Sequence, residues 1–344
     1  MRKIVHLVNW DVKFVPDFIR LVSKEFPENE HLFIIYGNAV AGQCPRAPNV
    51  LYCRSLLASV FQISAQVGKA RKVILHGLFS PHLLVLLVFN FRSLAKCYWA
   101  IWGGDLYAHN TKNKTLRWRI LELIRRFVIG KIGNFIAKNK GDYEFAQEWY
   151  GAKGRWIKCF MYPSNLYRSV SVKQRSDLRI IILLGNSADP SNNHIEVLDK
   201  LKNYQDREIM IICPLSYGDS SYARKVAMHG FSLFGERFVA LKELMSLDNY
   251  TQFLSDVDIG IFNHDRQQAF GNIVSLLGMG KMVFIRNDVT TWSLLRDEGL
   301  VVYNTFELPD ALNAPHCGIK NIQLIKNIYS ENNLLVNLRD IFAQ

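Results

Sequence analysis

Apolar and polar positions follow two alternating periods along the chain, which predicts strands that alternate with helices. In the first half, short β-branched runs predict strands at 4–8, 32–36, 50–52, 72–75, 96–101 and 134–137. Between them, helical spacing predicts helices at 14–26, 56–68, 81–89, 116–129 and 141–150. Because parallel strands need crossover connections, this half is predicted to form βαβ units around a parallel sheet.

The alternation resumes in the second half, after a segment around Pro163-Ser164-Asn165 that lacks clear periodicity. Strands are predicted at 179–184, 208–213, 238–240, 258–262 and 282–285. Helices are predicted at 193–203, 220–229, 248–255, 271–279 and from about residue 321.

A chain of 344 residues suits two cores better than one. We therefore expect an α/β protein of two Rossmann-like domains whose parallel sheets face an interdomain cleft. The expected boundaries are 1–160 for the first domain, 161–175 for a linker and 176–344 for the second domain. The last helix is able to pack back on the first domain.

The positive charge of the chain lies in its first half. The net charge is +12, yet residues 1–160 hold 24 Lys and Arg against 10 Asp and Glu, whereas residues 161–344 hold 18 against 20. A basic half predicts partners that carry phosphate or present a membrane surface. Nucleic acid is disfavoured as a partner, because no nucleic-acid-binding module is recognisable and the second half is slightly acidic.

The densest basic segment is 112–140, where Glu122 is the single acid and apolar residues are interleaved with Lys and Arg. One interpretation is a core-facing helix with a basic solvent face. The other, which we favour, is an interfacial surface across residues 80–140 that is attracted to anionic lipid headgroups. The apolar stretch 79–91 extends that surface.

Several classes of protein are disfavoured by what the sequence lacks. The six cysteines form no CxxC pair and no zinc spacing, which indicates reduced thiols of a cytosolic protein. The first residues are too short and polar for a signal peptide, and the apolar run 83–89 falls short of the ~20 residues that span a bilayer. The ATPase and dehydrogenase motifs, Walker A and a strand-linked GxGxxG, are absent.

No metal and no cofactor are predicted. Asp256-Val257-Asp258 formally matches the Asp-x-Asp pattern that chelates a metal–nucleotide in some transferases. Because it leads directly into a predicted buried strand, we interpret it as a helix end followed by a strand start.

The end of the strand 179–184 is the most informative segment. It stops at a Gly-Asn-Ser turn and feeds a helix that begins near Asn193, an arrangement that leaves backbone N–H groups free to bind phosphate or nucleotide. We expect one wall of a phosphate- or nucleotide-binding site to be formed by Gly185, Asn186, Ser187, Asn193 and His194.

A second polar segment opens the helix after the strand 258–262. It contains Arg266, Gln267 and Gln268, followed by Gly271 and Asn272 at the helix start. An arginine beside a helix N-terminus can hold a diphosphate, and the alternative is a polar loop with an ordinary N-cap.

Two further candidates for the nucleotide-binding site lie elsewhere in the second half. Tyr217 could stack on a base or bond a phosphate, or it could be an ordinary turn residue. Glu243 is a weaker candidate for holding the ribose, by analogy with two-Rossmann nucleotide-sugar enzymes.

Strand ends of the first half offer candidates for acid–base chemistry. Asp105 follows the strand 96–101 and is the first candidate for a general base toward a hydroxyl, although it could also cap a turn. His76 ends a neighbouring strand and is the second candidate, with a structural histidine as its alternative. Residues expected to bind the second substrate of such a site are Trp102, Gly103, Gly104 and Tyr107.

Taken in order, these motifs resemble the bacterial 4-acetamido-4,6-dideoxygalactosyltransferases, or TDP-Fuc4NAc:lipid II transferases, of glycosyltransferase family 56. In the first half the resemblance is carried by His76-Gly77, Ile101-Trp102-Gly103 and Asp105-Leu106-Tyr107. In the second half it is carried by Gly185-Asn186-Ser187, Ser191-Asn192, His194-Ile195 and Arg266-Gln267-Gln268. It covers roughly residues 70 to 300, with Gly104 where an Ala is expected, Ala269-Phe270 as a further departure, and a shorter tail.

The resemblance implies a GT-B glycosyltransferase that needs no essential metal. It implies a dTDP-sugar donor held mainly by the second domain and an undecaprenyl-pyrophosphate-linked glycan as acceptor. The enzyme would act in O-antigen or enterobacterial common antigen synthesis, as a peripheral protein on the cytoplasmic side of the inner membrane. The alternatives are another GT-B hexosyl- or heptosyltransferase with a different nucleotide sugar, and a non-catalytic two-lobed sugar- or nucleotide-binding protein.

Overall fold

The computed structural model describes residues 4–11, 14–37, 47–53, 60–111, 114–169, 179–204, 207–308 and 318–343. The chain divides into two compact units. The first consists of residues 1–164 together with 331–344, and the second consists of residues 165–330. The division therefore falls inside the segment predicted as a linker, and the last helix groups with the first unit.

The first unit is built on a seven-stranded sheet of order β3-β2-β1-β4-β5-β6-β7, with every neighbouring pair parallel. Its strands are β1 (Ile4–Asn9), β2 (His31–Tyr36), β3 (Val50–Cys53), β4 (Lys72–His76), β5 (Cys97–Ala100), β6 (Asn134–Ile136) and β7 (Arg155–Ile157). Its connecting helices are α1 (Val15–Glu25), α2 (Val60–Lys69), α3 (Pro81–Phe89), α4 (Leu116–Ile129) and α5 (Lys140–Tyr150).

The second unit has a six-stranded parallel sheet of order β10-β9-β8-β11-β12-β13. Its strands are β8 (Ile180–Leu184), β9 (Ile209–Pro214), β10 (Phe238–Leu241), β11 (Ile259–Phe262), β12 (Met282–Ile285) and β13 (Tyr303–Asn304). Its helices are α6 (His194–Leu201), α7 (Ser220–Phe234), α8 (Leu247–Asp256), α9 (Phe270–Gly278), α10 (Thr290–Asp297) and α11 (Gly318–Ile328). The strand order reverses between β8 and β11, and ligands of such sheets bind beside the carboxyl ends of the two strands at that point.

The final helix, α12 (Glu331–Ala343), packs on the first unit. The ring of Phe342 meets those of His31 and Phe26, with centroids 4.6 and 4.8 Å apart. Lys72 Nζ donates to the carbonyl oxygen of Ile341 at 2.5 Å, and Arg71 donates to that of Phe342. Cations at the last carbonyls of a helix satisfy its unpaired acceptors and offset its dipole.

The alternation of strands and helices that the sequence predicts is confirmed, and the prediction of two Rossmann-like domains is confirmed with it. Three elements were missed: β7, α10 and β13. Four cysteines, Cys53, Cys97, Cys159 and Cys213, are buried free thiols, whereas Cys44 and Cys317 lie outside the described residues. In the part of the chain that the structure describes, no helix combines the length and apolar character needed to cross a bilayer.

Candidate functional site

The candidate donor site begins where β8 ends, at Gly185. Its N–H donates to the carbonyl oxygen of Ile261 at 2.9 Å, and its φ is +71°. A side chain at this position would overlap the imidazole of His194 and the amide of Asn192. Glycine is required here for both reasons, since only glycine adopts positive φ without strain and only glycine leaves room for the two side chains.

Asn192 is fully buried, and its side chain hydrogen-bonds to four other residues of the site. Its Oδ1 accepts from the backbone N–H of Asn186 at 3.0 Å and from Nε2 of His264 at 2.8 Å. Its Nδ2 donates to the carbonyl oxygen of Asp189 at 3.0 Å and to Ser187 Oγ at 3.4 Å. One side chain thereby ties the loop after β8 to the turn before α6 and to the residue that follows β11.

His264 lies two residues beyond the end of β11 and is 3% exposed. Its Nε2 also lies 3.1 Å from Oδ1 of Asn186, so it faces two acceptors. Burial lowers the pKa of His264 to about 3, with smaller contributions from His194 and Arg266. The ring is therefore neutral, and the two amide oxygens assign the proton to Nε2.

Gln268 connects the opening of α9 to the loop after β8. Its Nε2 donates to Asn186 Oδ1 at 3.1 Å and to Ser187 Oγ at 3.3 Å, and its Oε1 accepts from Ser191 Oγ at 2.9 Å. Asn193 joins the same cluster, with φ of +51° and an Nδ2 that donates to the carbonyl oxygen of Ser191.

Arg266 is held at the strand ends by Asp189. Its Nη2 donates to Asp189 Oδ2 at 3.0 Å, and the two side chains are 24% and 39% exposed. Burial alone would raise the pKa of Asp189, but hydrogen bonds from Ser191 and the nearby guanidinium hold that pKa below its usual range. The guanidinium presents several N–H groups in a plane and uses one of them here, so it can bind an additional anionic group.

The helices that follow β8 and β11, namely α6 and α9, begin at this edge of the sheet without a side-chain cap. The residues that precede α6 and α9, Asn193 and Ala269, both have positive φ and provide no capping hydrogen bond. By contrast, α7 and α8 are capped by Asp219 and Ser246. An uncapped N-terminus carries N–H groups and a partial positive charge that favour an anion.

His194 opens α6 and presents a buried ring nitrogen toward Gly185. Its Nδ1 lies 3.3 Å from Tyr222 Oη, while its Nε2 is buried with no hydrogen-bond partner among the described residues. Burial lowers the pKa of His194 to about 4, so the ring is neutral at physiological pH. A buried polar atom without a partner is costly and marks a place where a ligand atom can bind.

The remaining donor-site candidates differ in how closely they join this cluster. Tyr217 is 40% exposed, and its hydroxyl accepts from Asn186 Nδ2 at 3.1 Å. Asn272 donates to Tyr250 Oη at 3.0 Å, and Gln267 and Gly271 lie half-buried at the opening of α9. Glu243 is exposed after β10, and no hydrogen bond is recorded between it and the cluster within the described ranges.

In the first unit, Asp105 is almost fully buried and accepts four hydrogen bonds. Oδ2 accepts from the N–H of Leu78 at 2.9 Å and from Trp99 Nε1 at 2.7 Å, and Oδ1 accepts from the N–H groups of Trp102 and Leu106. Burial raises the pKa of Asp105, and these hydrogen bonds act in the opposite direction. With both oxygens engaged, Asp105 is better suited to fixing the loop after β5 than to the predicted role of general base.

His76 is also fully buried, with both ring nitrogens engaged. Nδ1 lies 2.7 Å from Tyr162 Oη, and Nε2 lies 3.0 Å from Nδ1 of His6. Trp102 Nε1 donates to the same Tyr162 hydroxyl at 2.6 Å. The two predicted residues His76 and Trp102 thus meet through Tyr162, a residue that the sequence did not single out.

The other acceptor-site candidates surround this loop. Gly103 has φ of +85°, and Tyr107 Oη donates to Asp142 Oδ1 at 3.2 Å. A Cβ on Gly104 would lie 3.4 Å from the ring of Phe79, an ordinary contact, so the alanine expected from the family would fit.

Helix α4 buries Val128 and Ile129 but presents other apolar side chains to solvent. One stripe contains Leu116, Ile120, Leu123 and Phe127, which are 74%, 53%, 70% and 43% exposed. On the opposite face Glu122 is buried, paired with Arg125 at 2.9 Å and with His109 at 2.5 Å. A surface helix normally has the reverse arrangement, so the stripe marks an interaction surface.

In the described part of the chain, no group of three or more His, Cys, Asp and Glu side chains is arranged so that it could hold a metal ion. Asp258, from the Asp-x-Asp match, accepts from the backbone N–H of Ile181 at 2.9 Å and so ties β11 to β8.

Two parallel sheets with this polar cluster at the carboxyl edge of one of them define a GT-B fold. Three solved structures are similar over nearly the whole chain. They are Anabaena HepE in complex with UDP and glucose (12% identity, TM-score 0.70, 100% of each chain), Thermosynechococcus elongatus sucrose-phosphate synthase (9%, 0.69, 100% and 99%) and a UDP-forming trehalose-phosphate synthase of Burkholderia xenovorans (11%, 0.67, 100% and 98%). At such identities the likeness concerns the fold.

The chain belongs to glycosyltransferase group 56, whose family model, described as 4-alpha-L-fucosyltransferase, matches residues 3–321. The suspected family is therefore confirmed, and the protein is a glycosyltransferase that uses a nucleotide-sugar donor and an acceptor. The non-catalytic binding protein considered from the sequence is set aside.

Three buried residues of the two candidate sites were not predicted as site residues from the sequence: Asn192, His264 and Tyr162. His264 lies just beyond the end of a buried strand, which is the same signal that selected Asn186 and Asp105. Asn192 stands inside a motif already singled out, but nothing in its spacing shows that its side chain points inward. Tyr162 lies in a segment without periodicity, so no pattern could have selected it.

Replacing Gly185 by Ala tests the packing of the donor cluster. The positive φ costs ~1–2 kcal/mol for any other residue, and the new methyl group must displace His194 or Asn192. We expect lower stability in urea unfolding and weaker binding of the nucleotide-sugar donor. Gly68→Ala is the matched control, because a Cβ there meets no atom within 4 Å. Unchanged donor binding in Gly185→Ala would contradict the assignment.

Stability should depend on pH through five buried histidines: His6, His31, His76, His194 and His264. Burial lowers the pKa from 6.5 to about 4 for His31 and His194, to about 3 for His76 and His264, and well below 6.5 for His6. The unfolded chain therefore binds protons first as pH falls. The free energy of unfolding is therefore highest above pH ~6.5. It decreases toward pH 4 by ~1.4 kcal/mol per pH unit for each ring.

Urea unfolding between pH 7.5 and pH 5 measures this dependence. We expect the free energy of unfolding to fall steadily below pH ~6.5. A constant value across that interval would show that these rings are protonated, or exposed, in the folded protein.

Proposed function

We propose that the protein transfers a 4-amino- or 4-acetamido-4,6-dideoxyhexose from a dTDP-sugar to an undecaprenyl-pyrophosphate-linked glycan, in the synthesis of O-antigen or enterobacterial common antigen. The observation that carries the proposal is the cluster at the ends of β8 and β11, where Arg266 and the uncapped start of α9 meet a net of amide side chains. In the reaction, the bond between sugar C1 and the diphosphate breaks, C1 bonds the acceptor oxygen, and the acceptor loses a proton.

The cluster meets the electrostatic demand of that reaction. Negative charge builds up on the leaving diphosphate, and preorganised donors aimed at it stabilise the transition state. Arg266 supplies a positive charge, α9 supplies N–H groups and a dipole, and His194 Nε2 is a buried polar atom at the same strand ends. These groups give protein-based stabilisation of the leaving group, as expected of an enzyme that needs no metal.

The choice of sugar is supported by the family description and by the sequence motifs. A 4-alpha-L-fucosyltransferase family handles a 6-deoxyhexose, the class to which the proposed donor belongs. The motifs around Trp102, Gly185 and Arg266 resemble those of Fuc4NAc transferases. The complex of Anabaena HepE with UDP and glucose supports a nucleotide and a sugar as ligands of this fold. The second candidate is a GT-B hexosyl- or heptosyltransferase with another nucleotide.

Thermal-shift measurements with dTDP, UDP and GDP separate these two candidates. We expect dTDP to raise the melting temperature most. Incubation with dTDP-4-amino-sugars and a synthetic prenyl-pyrophosphate acceptor, followed by mass and anomer analysis, identifies the product. Stabilisation by UDP or GDP in place of dTDP would favour the second candidate.

Arg266→Ala tests the role of the guanidinium. Removing one group that stabilises the leaving charge typically costs ~100-fold or more in kcat, and we expect a loss of that order with the protein still folded. Arg224→Ala is the matched control, since Arg224 is an exposed arginine on α7. Turnover close to that of the wild type in Arg266→Ala would reject the diphosphate assignment.

The acceptor proposed above is lipid-linked, so we propose that the first unit rests on the anionic cytoplasmic surface of the inner membrane. The solvent-facing stripe of α4 supplies apolar contact, and Arg117, Arg119 and Arg126 beside it are exposed. Phe89 and Phe91, at and just after the end of α3, add exposed rings. Basic and apolar groups on one amphipathic helix are typical of helices that lie in the headgroup region.

Sedimentation with phosphatidylglycerol vesicles tests this surface. Leu123→Glu should weaken binding by ~10-fold or more, because burial of a leucine side chain contributes ~1.5–3 kcal/mol. Met228→Glu is the matched control, since Met228 is equally prominent on α7 at 74% exposure. Binding should also weaken with added salt and with phosphatidylcholine vesicles. Equal effects of the two substitutions would contradict the proposed surface.

A further inference from the structure

Three histidines and one tyrosine form a continuous hydrogen-bonded row through the first unit. Tyr162 Oη lies 2.7 Å from His76 Nδ1, His76 Nε2 lies 3.0 Å from His6 Nδ1, and His6 Nε2 lies 3.0 Å from His31 Nδ1. Each imidazole in the row thus uses a different nitrogen for each neighbour. Such a row can pass a proton from end to end, because every ring can accept at one nitrogen while it releases at the other.

The row runs from the amino ends of the parallel strands to their carboxyl ends. His31 pairs with Ile4 at the start of β1, whereas His76 pairs with Val8 near the end of β1. At the carboxyl edge, Tyr162 adjoins Trp102 of the proposed acceptor site. At the opposite edge, His31 lines a cavity of about 410 Å³ together with Glu30, Arg71 and Arg339.

Apolar rings enclose the row and keep it neutral. Phe33 stacks on His6 with centroids 4.4 Å apart, and Phe18 and Phe342 meet the same ring edge-on. Burial lowers the pKa of every histidine in the row and raises that of Tyr162. An apolar side chain would fill the place of His6 without needing partners, so a fully paired polar row in a sheet core is more than packing requires.

The residue before Tyr162 is strained. Met161 has φ of +56°, and its N–H donates to Cys159 Sγ at 3.2 Å. A left-handed conformation costs a side chain such as methionine ~1–2 kcal/mol. Strain of this kind is retained where it positions a neighbouring group, and here the neighbour is the tyrosine at the end of the row.

We propose that Tyr162, His76, His6 and His31 form a proton relay that carries the acceptor hydroxyl's proton across the sheet to the cavity beside His31. The relay rests on the proposed function, because it starts from the acceptor reaction. As the new C1–O bond forms, the acceptor proton passes to Tyr162 Oη and the tyrosine proton passes to His76 Nδ1. The Nε2 protons of His76 and His6 move on to the next ring, and His31 releases one proton.

One proton enters the relay and one leaves it, so the charge of the relay does not change. Each histidine ends with its proton on Nδ1 in place of Nε2. After the product departs, Tyr162 gives its proton to solvent and one re-enters at His31, which restores the starting tautomers. Trp102 Nε1 donates to Tyr162 Oη throughout and keeps the hydroxyl aimed at His76.

Two isosteric substitutions interrupt the relay. Tyr162→Phe removes the first oxygen and His6→Phe removes the central ring. We expect kcat to fall by ~100-fold in the first and by ~10-fold or more in the second, with KM unchanged. The proton inventory in mixed light and heavy water should be curved in the wild type and linear in His6→Phe. If His6→Phe does not fold, His31→Phe breaks the same path at its far end.

Tyr36→Phe is the matched control. Tyr36 is a buried tyrosine at the end of β2, and its hydroxyl has no hydrogen-bond partner among the described residues. Its loss should leave kcat and the isotope effect unchanged. Wild-type kcat and an unchanged proton inventory in Tyr162→Phe and His6→Phe would overturn the relay.

A readout independent of turnover separates the relay from the proposed function. Long-range ¹H–¹⁵N spectra of the resting protein should show His6, His31 and His76 neutral and all in the Nε2–H tautomer. A row with mixed tautomers would overturn the relay even if the enzyme is active. Aligned tautomers without transfer to any tested acceptor would instead count against the proposed function.

Discussion

The second unit depends on one requirement, which is that the polar groups at the carboxyl ends of its parallel strands be satisfied away from water. Asn192 meets most of this requirement with one side chain that binds the loop after β8, the turn before α6 and His264 after β11. A buried amide that lost one of these partners would cost ~1–3 kcal/mol. The loop geometry is therefore fixed before any ligand arrives, and preorganisation of this kind is what an electrostatic site requires.

In the first unit, the carboxylate of Asp105 satisfies the buried polar groups at the strand ends. It gathers N–H groups from the loops after β4 and β5, and Trp99 closes the arrangement from within the sheet. A carboxylate accepts more hydrogen bonds than an amide oxygen, which suits a loop that presents several backbone donors at once. Asp105, predicted as a general base, thereby anchors the loop that carries Trp102 and Gly103.

The sequence predicts elements well where burial dictates composition, and poorly where it does not. Strands such as β1, β8 and β11 are fully or mostly buried, so their apolar runs are unmistakable. By contrast, β7 is three residues long and partly exposed, and α10 mixes polar and apolar positions, so neither leaves a clear period. Strand-end polar residues were predicted because parallel strands share an edge. Their contacts were not, since Asp105 also binds the N–H of Leu78, 27 residues away, and the indole N–H of Trp99 within the sheet.

Helix α4 shows a related limit of prediction from sequence: the bounds of the helix were predicted, but not which of its faces is buried. Its bounds were predicted from Leu116 to Ile129 and are confirmed, yet periodicity alone left two interpretations of which face is buried. The structure buries Glu122 with Arg125 and exposes Leu116 and Leu123. An ion pair is stable inside only when each charge is paired, and His109 supplies the additional contact.

The Arg266–Asp189 pair explains how a preorganised site can still accept an anion. The two side chains are partly exposed, and pairs of this kind contribute only ~0–1 kcal/mol. A diphosphate can therefore share or replace Asp189 as the partner of the guanidinium at little cost. Asp189 also stays bound to the N–H of Ser191 at 2.9 Å, so it does not lose all its partners when the arginine turns to the ligand. The amide net around Asn192 keeps its own hydrogen bonds meanwhile, which confines the rearrangement to one ion pair.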